Sequence, residues 1–344
     1  MEAVILAGGF GTRLAPLTYT RAKSLLPILN KPMISYLIET LPEEVDKVIL
    51  AVNYRKDQIE RYFKENDVGK EIIVNDEPKP LGTGGAVKFA EKHITGSFVV
   101  LNSDIISSLD LEDMIKFHRR IKAVTTISLW PVENVSEFGV VEIQEDSRIT
   151  SFVEKPRPED APSNLINAGA YCLEPVVLDY IDTNRLVSME QEIFPRIIRD
   201  TNAFYGYRIS GYWIDVGRIE SYLKVHKLLL QQKKKNNVVG ENCEIKGVVK
   251  QTSVGNRVAI AENSKVESSV IFDDVKIKKD SLVLNSVVGE NCVIEKGVKV
   301  INSVIGDNET IEEYRVVENT KVWSKPLPQG YPKRQVGNVI RKQG

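Results

Sequence analysis

The chain has 344 residues, enough for two domains that each bury a core of their own. Its 46 Lys and Arg nearly cancel its 47 Asp and Glu, leaving a formal charge of −1, and that balance excludes the broad basic surface of a nucleic-acid binder. Cys172, Cys243 and Cys292 lie far apart without C-x-x-C spacing, which excludes a disulfide framework and a cysteine zinc site and sets a reducing, cytoplasmic compartment as the expectation.

No positively charged stretch leading into an apolar core opens the chain, and no apolar run approaches the ~18 residues of a membrane span. The expectation is a protein neither secreted by that route nor membrane-spanning.

A short apolar strand, Ala3 to Leu6, runs directly into "LAGGFGTRL" (6–14). Gly8, Gly9 and Gly11 make either a simple tight turn or a loop whose backbone amides can wrap an anion. The spacing is not G-x-G-x-x-G, since Leu14 stands where the last glycine would be, and no acidic residue closes the second strand, which excludes the dinucleotide fingerprint. A Walker loop is absent too. Thr12 and Arg13 flank the loop, and Arg13 offers a permanent, planar charge suited to phosphate oxygens. Lys23, in "RAKSLLP", supplies a second cation or is a surface lysine.

Next come "KVILAVN" (47–53), the amphipathic "YRKDQIERYFKEN" and "EIIVND" (71–76), a βαβ rhythm that predicts a largely parallel sheet covered by helices. Further strands are expected at 97–104, 123–132, 138–143 and 167–174, with a Pro-rich loop at 154–164. The helical segment 223–237 ends in Lys233, Lys234 and Lys235, read as a solvated helix end and linker.

Beyond it the texture changes. "VVGENCEI" (238–245), "SVGNRVAI" (253–260), "VVGENCVI" (287–294) and "VIGDNETI" (304–311) repeat at multiples of about 17 residues. Aliphatic residues about every six positions beside G-[ED]-N turns predict a parallel β-helix of hexapeptide repeats, some four coils over 238–311 and then a tail.

Taken whole, "LAGGFGTRLAPLTYTRAKSLLPILNKPM" (6–33) resembles the signature of the sugar-1-phosphate nucleotidylyltransferases. The likeness continues through "EPKPLGTGGA" (77–86), "VLNSD" (100–104), "FGVVE", "FVEKP" (152–156), "NAG" (167–169), "SMEQEIFP" (188–195) and "GYWIDVG" (211–217), and is strongest toward the mannose-1-phosphate guanylyltransferase branch. It implies an α/β fold: a Rossmann-like nucleotidyltransferase domain with a mixed, mainly parallel sheet (1–230), a linker (231–237), a left-handed parallel β-helix (238–322) and a tail (323–344).

It also implies a reaction in which a sugar-1-phosphate oxygen attacks the α-phosphorus of a nucleoside triphosphate and releases pyrophosphate. That nucleophile is already an anion and needs no general base, consistent with only three histidines, His93, His118 and His226. By resemblance Leu6, Ala7, Gly8, Gly9, Gly11 and Thr12 cradle the nucleotide together with Gly82 and Thr83. Arg13, Lys23 and Asp104 are the expected catalytic residues, Asp104 and Asp215 would hold Mg²⁺, and Gly139, Glu154, Lys155 and Asn167 would take the sugar phosphate. Ala22 stands where many members have proline.

Glu77 occupies a position where uridylyl and thymidylyl members usually have glutamine. A carboxylate accepts from two adjacent donors, as guanine offers, so Glu77 favours GTP unless it simply points to solvent beside Pro78. Mannose follows from the branch likeness alone, and glucose-1-phosphate with UTP or dTTP stays open.

The β-helix lacks the histidine an acetyltransferase site would use, so its expected role is packing and homo-oligomer formation. Non-catalytic regulatory paralogues share the two-domain plan, but the coexistence of Arg13, Lys23, Asp104, Lys155 and Asp215 favours an enzyme.

Overall fold

The computed structural model describes residues 1–332 and 339–340. It divides into two compact units, neither of them a single run of sequence: Met1–Gly9 with Ile34–Ile214, and Phe10–Met33 with the chain from Asp215 onward.

The first unit is built on nine strands: β1 (Glu2–Leu6), β2 (Lys47–Val52), β3 (Glu71–Asp76), β4 (Phe98–Asn102), β5 (Thr125–Pro131), β6 (Gly139–Ile143), β7 (Ile149–Glu154), β8 (Leu165–Leu173) and β9 (Phe204–Arg208). They form one mixed sheet in the order β7-β6-β8-β4-β1-β2-β3, with β5 on β8 and β9 on β5. β1 lies parallel between β2 and β4, and each is apolar along its length because both sheet faces are covered. The long β8 runs antiparallel to β4, β5 and β6. Val4, Ile49, Phe98, Val100, Ile127, Tyr171 and Phe194 meet in the core of this unit. The seven strands expected from the sequence appear with ends shifted by up to two residues, and β7 and β9 are additions.

The expected amphipathic helix forms at Lys56–Glu65, and the later one at Ile219–Gln232, after which Lys233, Lys234 and Lys235 are exposed. No helix among the described residues is long and apolar enough to cross a membrane.

In the second unit the repeat region stacks into three parallel sheets, the arrangement expected of a left-handed β-helix. The stack is longer than the turn signals suggested, with five strands in each of two faces and strands continuing to Val316–Glu318 and Lys321–Val322. The coil that lacks the signal is Val270–Leu284, where Asp274, in a Phe-Asp-Asp stretch and not a G-[ED]-N turn, takes the left-handed corner. Elsewhere Asn, Asp and a few others take that conformation, as at Asn291, Asn308, Asn285 and Asn302.

Inside, Val254, Ile271, Val288 and Ile305 pile along one wall, with Ile260, Ile277, Ile294 and Ile311 facing them. A buried hydroxyl column runs beside them: the amides of Ser269, Ser286, Ser303 and Thr320 each donate to the hydroxyl 17 residues earlier, at 3.0–3.3 Å. The tail expected over 323–344 lies partly outside the described residues.

The segment Phe10–Met33 runs along a flank of this stack and meets successive coils. Asn30 Nδ2 donates to Val254 O at 2.6 Å, the Arg21 guanidinium stands 4.8 Å from the Phe272 ring centroid and pairs with Glu290, and Thr20 Oγ1 donates to Asp307 Oδ2 at 2.5 Å. Lys321 Nζ donates to Arg13 O at 3.0 Å. The helix Ile219–Gln232 closes the far end, with Tyr222 OH donating to Pro27 O and His226 buried beneath it.

Candidate active site

The first unit holds the opening of the glycine loop. Leu6 ends β1, the Ala7 amide still donates to Ala51 O at 2.9 Å, and Gly8 lies against Asn53. Nothing lies within 4 Å of where a Gly9 side chain would begin. Asp104 follows directly on β4, where the Ser103 amide donates to Leu6 O at 3.2 Å, so its carboxylate is carried at the same end of the sheet as the loop.

The "LGTGG" stretch is zipped to residues 185–189. Gly82 has φ +75° and a Cβ there would sit 2.5 Å from Val187 O, so no side chain fits. Thr83 Oγ1 donates to Glu190 Oε2 at 2.7 Å and accepts from the Met189 amide at 2.9 Å. Glu77 does not point to solvent. It is buried, its Oε2 accepts from the Leu81 amide at 3.2 Å, and burial pushes its carboxyl above the ordinary range against that hydrogen bond.

On the other side of this unit, Gly139 starts β6 beneath Glu154, whose Oε2 would lie 2.9 Å from a Cβ at Gly139. Glu154 Oε1 pairs with Lys155 Nζ at 3.1 Å; burial raises the Glu154 carboxyl, the Lys155 ammonium opposes the rise, and Glu190 adds to it. β8 loses its regular register between Asn167 and Tyr171, and Gly169, at φ +80°, packs against Asn102 there. The Gly169 amide donates to Asn167 Oδ1 at 3.1 Å and Asn167 Nδ2 donates to Tyr171 OH at 3.0 Å. Tyr171 OH reaches Glu190 Oε1 at 3.4 Å.

Glu190 therefore ties Thr83, on the expected nucleotide side, to Tyr171 and Asn167 on the expected sugar side. Sequence reasoning had not singled it out, although it lies within "SMEQEIFP". It sits in a single π-helical turn, Met189–Ile193, a departure from α geometry that often accompanies functional residues.

The second unit gathers the cations. Gly11 has φ +65°, and a Cβ there would meet the Lys23 stem at 3.2 Å and Thr18 Cγ2 at 2.8 Å. Thr12–Leu14 is a single 3₁₀ turn closed by Leu14 N to Gly11 O at 2.9 Å. Arg13 Nη2 and Asp215 Oδ1 converge on Gly217, 2.6 and 2.9 Å from where its Cβ would be, so a side chain there would push aside the end of this cation or of this carboxylate. Ala22, in place of the common proline, has φ −60° and ψ 137°, the backbone proline would impose, and Lys23 keeps its approach.

No histidine is poised as a base. His118 is buried and bonded to Thr126 and Glu174, and burial takes His226 down to about 3. No cluster of three His, Cys, Asp or Glu that could hold a metal ion is found among the described residues. Asp104 in the first unit and Asp215 in the second each offer the hard carboxylate oxygen that a divalent cation takes.

A nucleotidyl transferase family model matches residues 2–232, and a GMPPB C-terminal domain model matches residues 232–329. The probable mannose-1-phosphate guanylyltransferase 2 of Oryza sativa subsp. japonica is 40% identical over 286 residues, 80% of this chain and 76% of that protein. The crystal structure of HddC from Yersinia pseudotuberculosis complexed with GMP-PN is 30% identical with a TM-score of 0.56, covering 66% of this chain and 99% of that one. A UDP-glucose pyrophosphorylase from Acinetobacter baumanii is 25% identical with a TM-score of 0.61, over 68% of this chain and 94% of that one.

Proposed function

The chain belongs to the nucleotidyl transferase family, and from that premise we propose that it joins GTP to mannose-1-phosphate, giving GDP-mannose and pyrophosphate. The observation that carries the reading is the convergence of Arg13 and Asp215 on Gly217 in the unit where Lys23 packs under Gly11. A sugar-1-phosphate arrives ionised, so the protein's task is to bring two anions together and to neutralise the leaving pyrophosphate. Arg13 steadies the outer phosphates and Lys23 the α-phosphate, while the glycines allow close approach of the backbone. Lys155 holds the sugar phosphate, and Glu154, Asn167 and the Gly139 backbone take hydroxyls. Asp104 and Asp215 would hold Mg²⁺, which supplies further charge neutralisation.

Glu77 supports guanine in this reading through its buried carboxylate, and the rice relative's printed name supports both guanylyl transfer and mannose-1-phosphate. Free Cys172, Cys243 and Cys292 suit a reducing cytoplasm. Self-association through the β-helix is part of the proposal, resting on exposed Val248, Tyr314 and Val316, and sedimentation of a monomer only would remove it.

The test is pyrophosphate release with Mg²⁺ across GTP, UTP, dTTP, ATP and CTP against mannose-1-phosphate and glucose-1-phosphate. Release confined to GTP with mannose-1-phosphate is expected. Release with UTP or dTTP and glucose-1-phosphate would overturn the base and sugar, and silence throughout would point to a non-catalytic paralogue.

A further inference from the structure

The glycine loop from Phe10 onward is held by the C-terminal part of its own unit. Gly11 O accepts from the Leu14 amide at 2.9 Å and from Thr18 Oγ1 at 3.0 Å. Thr18 Oγ1 also lies 3.0 Å from Tyr331 OH. A threonine hydroxyl has one proton, and here it goes to Gly11 O, so Tyr331 OH is the donor to Thr18. The Tyr331 ring is 4% exposed and stands edge-on to Tyr19 at 4.8 Å and to Phe10 at 6.0 Å between centroids.

Earlier in the chain, Lys321 donates to Arg13 O, and burial lowers the pKa of its ammonium against the pull of Glu220. The stretch joining these two residues is itself anchored. Trp323 packs on Tyr19 with centroids 5.2 Å apart, and the Ser324 amide and hydroxyl both donate to the buried Glu309 carboxylate at 2.8 Å. Lys325 Nζ donates to Asp307 O at 3.3 Å.

We propose that Tyr331 and Lys321 are positioning residues for nucleotidyl transfer: Lys321 by occupying the Arg13 carbonyl, and Tyr331 by holding the Thr18 hydroxyl that occupies the Gly11 carbonyl, fix the loop in the conformation that receives the triphosphate. The Lys321 contact ends directly on the Arg13 carbonyl and the Tyr331 contact reaches the Gly11 carbonyl through Thr18 Oγ1, so these two contacts use neither an amide hydrogen of the loop nor the Arg13 guanidinium. Tyr331 and Lys321 can thus hold the loop through contacts that do not themselves take the groups that would meet phosphate. The proposal rests on the reading of this loop as the triphosphate site.

The experiment uses the full-length chain and the variants Tyr331→Phe and Lys321→Met, each of which keeps the buried bulk. Losing one such hydrogen bond is expected to raise the KM for GTP about five-fold, with the KM for mannose-1-phosphate unchanged, and the double variant is expected to show more than either. Tyr331→Leu, which removes the ring as well, is expected to exceed Tyr331→Phe. Amide hydrogen exchange over residues 7–16 is measured in the same proteins without nucleotide, and faster exchange is expected in both variants. Unchanged exchange overturns the relay whatever the activity proves to be. Faster exchange with both KM values at wild-type level overturns its role in the reaction. A wild-type chain that shows altered exchange in the variants but transfers no nucleotide overturns the reading of the site and leaves the relay standing.

Discussion

Replacing Gly11 by alanine imposes two penalties at one turn. The residue sits at φ +65°, a conformation that costs a residue bearing a Cβ about 1–2 kcal/mol. The new methyl would also stand 2.8 Å from Thr18 Cγ2, where carbon atoms prefer about 3.5–4.0 Å, and 3.2 Å from the Lys23 stem. Relieving the overlap moves either the threonine that bonds Gly11 O or the lysine assigned to the α-phosphate. With overpacking at roughly 1–3 kcal/mol, the expected loss of stability is about 3 kcal/mol, or a drop in melting temperature on the order of 6–10 °C. Displacement of a reacting group by about 1 Å costs on the order of a hundredfold in rate, and that is the loss expected in pyrophosphate release.

Gly9→Ala is the matched control, because no atom lies within 4 Å of its would-be Cβ. It should melt with the wild type, within about 0.5 kcal/mol, yet bind the triphosphate poorly because the methyl fills the space the phosphates need. A Gly11→Ala protein as stable as wild type would refute the strain argument. A Gly9→Ala protein with a normal KM for GTP would refute close approach of the phosphates to this loop.

Asp104→Asn and Lys23→Ala should fold normally and lose turnover by orders of magnitude, as removal of a preorganised charge does; near-normal turnover in either sinks its assigned role. Glu77→Gln should shift base preference toward UTP and dTTP, and an unaltered preference for GTP would reduce Glu77 to a clamp on the Leu81 amide. Ser286→Ala strips the Ser303 amide of its buried acceptor and should cost about 1–3 kcal/mol in denaturant unfolding, whereas Ser268→Ala at a half-buried corner, where the hydroxyl meets only the Gln251 side chain at 3.3 Å, should cost less. His226 has a native pKa of about 3, far below its ordinary value, so as pH falls the unfolded chain takes up the proton first. Its contribution is complete above about pH 6.5 and is lost below it, by about 2 kcal/mol at pH 5. The comparison is the pH slope of unfolding in wild type and His226→Gln, and equal slopes would show that His226 is not buried neutral.

The sheet was readable where strands are apolar on both faces: "KVILAVN" and "EIIVND" announce themselves. "ITSFVE" and "FYGYR" do not, since each has one wet side and little length; the first becomes a strand by hairpin pairing with Gly139–Ile143 just before it, the second by pairing with Thr125–Leu129, far earlier in the chain. The β-helix is readable because its period is written in the residues, and the coil that escapes the turn pattern is Val270–Leu284, whose corner carries Asp274 without a glycine before it. In the site, glycine spacing and lone charges could be picked out one by one. Glu190 could not, because its meaning lies in contacts with Thr83, 107 residues earlier, and with Tyr171. Tyr331 lies 313 residues from Thr18, beyond the reach of any local pattern.

The run from Asn30 back to Arg13 works as a gauge laid against the coils. It touches the stack at Val254, Phe272, Glu290, Asp307 and Lys321, five consecutive levels of one face, a span of roughly 19 Å at the spacing of neighbouring strands. A repeat array taken alone can gain or lose whole coils, because removing 17 residues leaves the hydroxyl column and every strand register intact. This array has no such freedom. One coil fewer would shorten the stack by about 4.8 Å and leave Asn30 and Arg13 without simultaneous partners, so the number of repeats is set by a stretch of chain that is not itself a repeat.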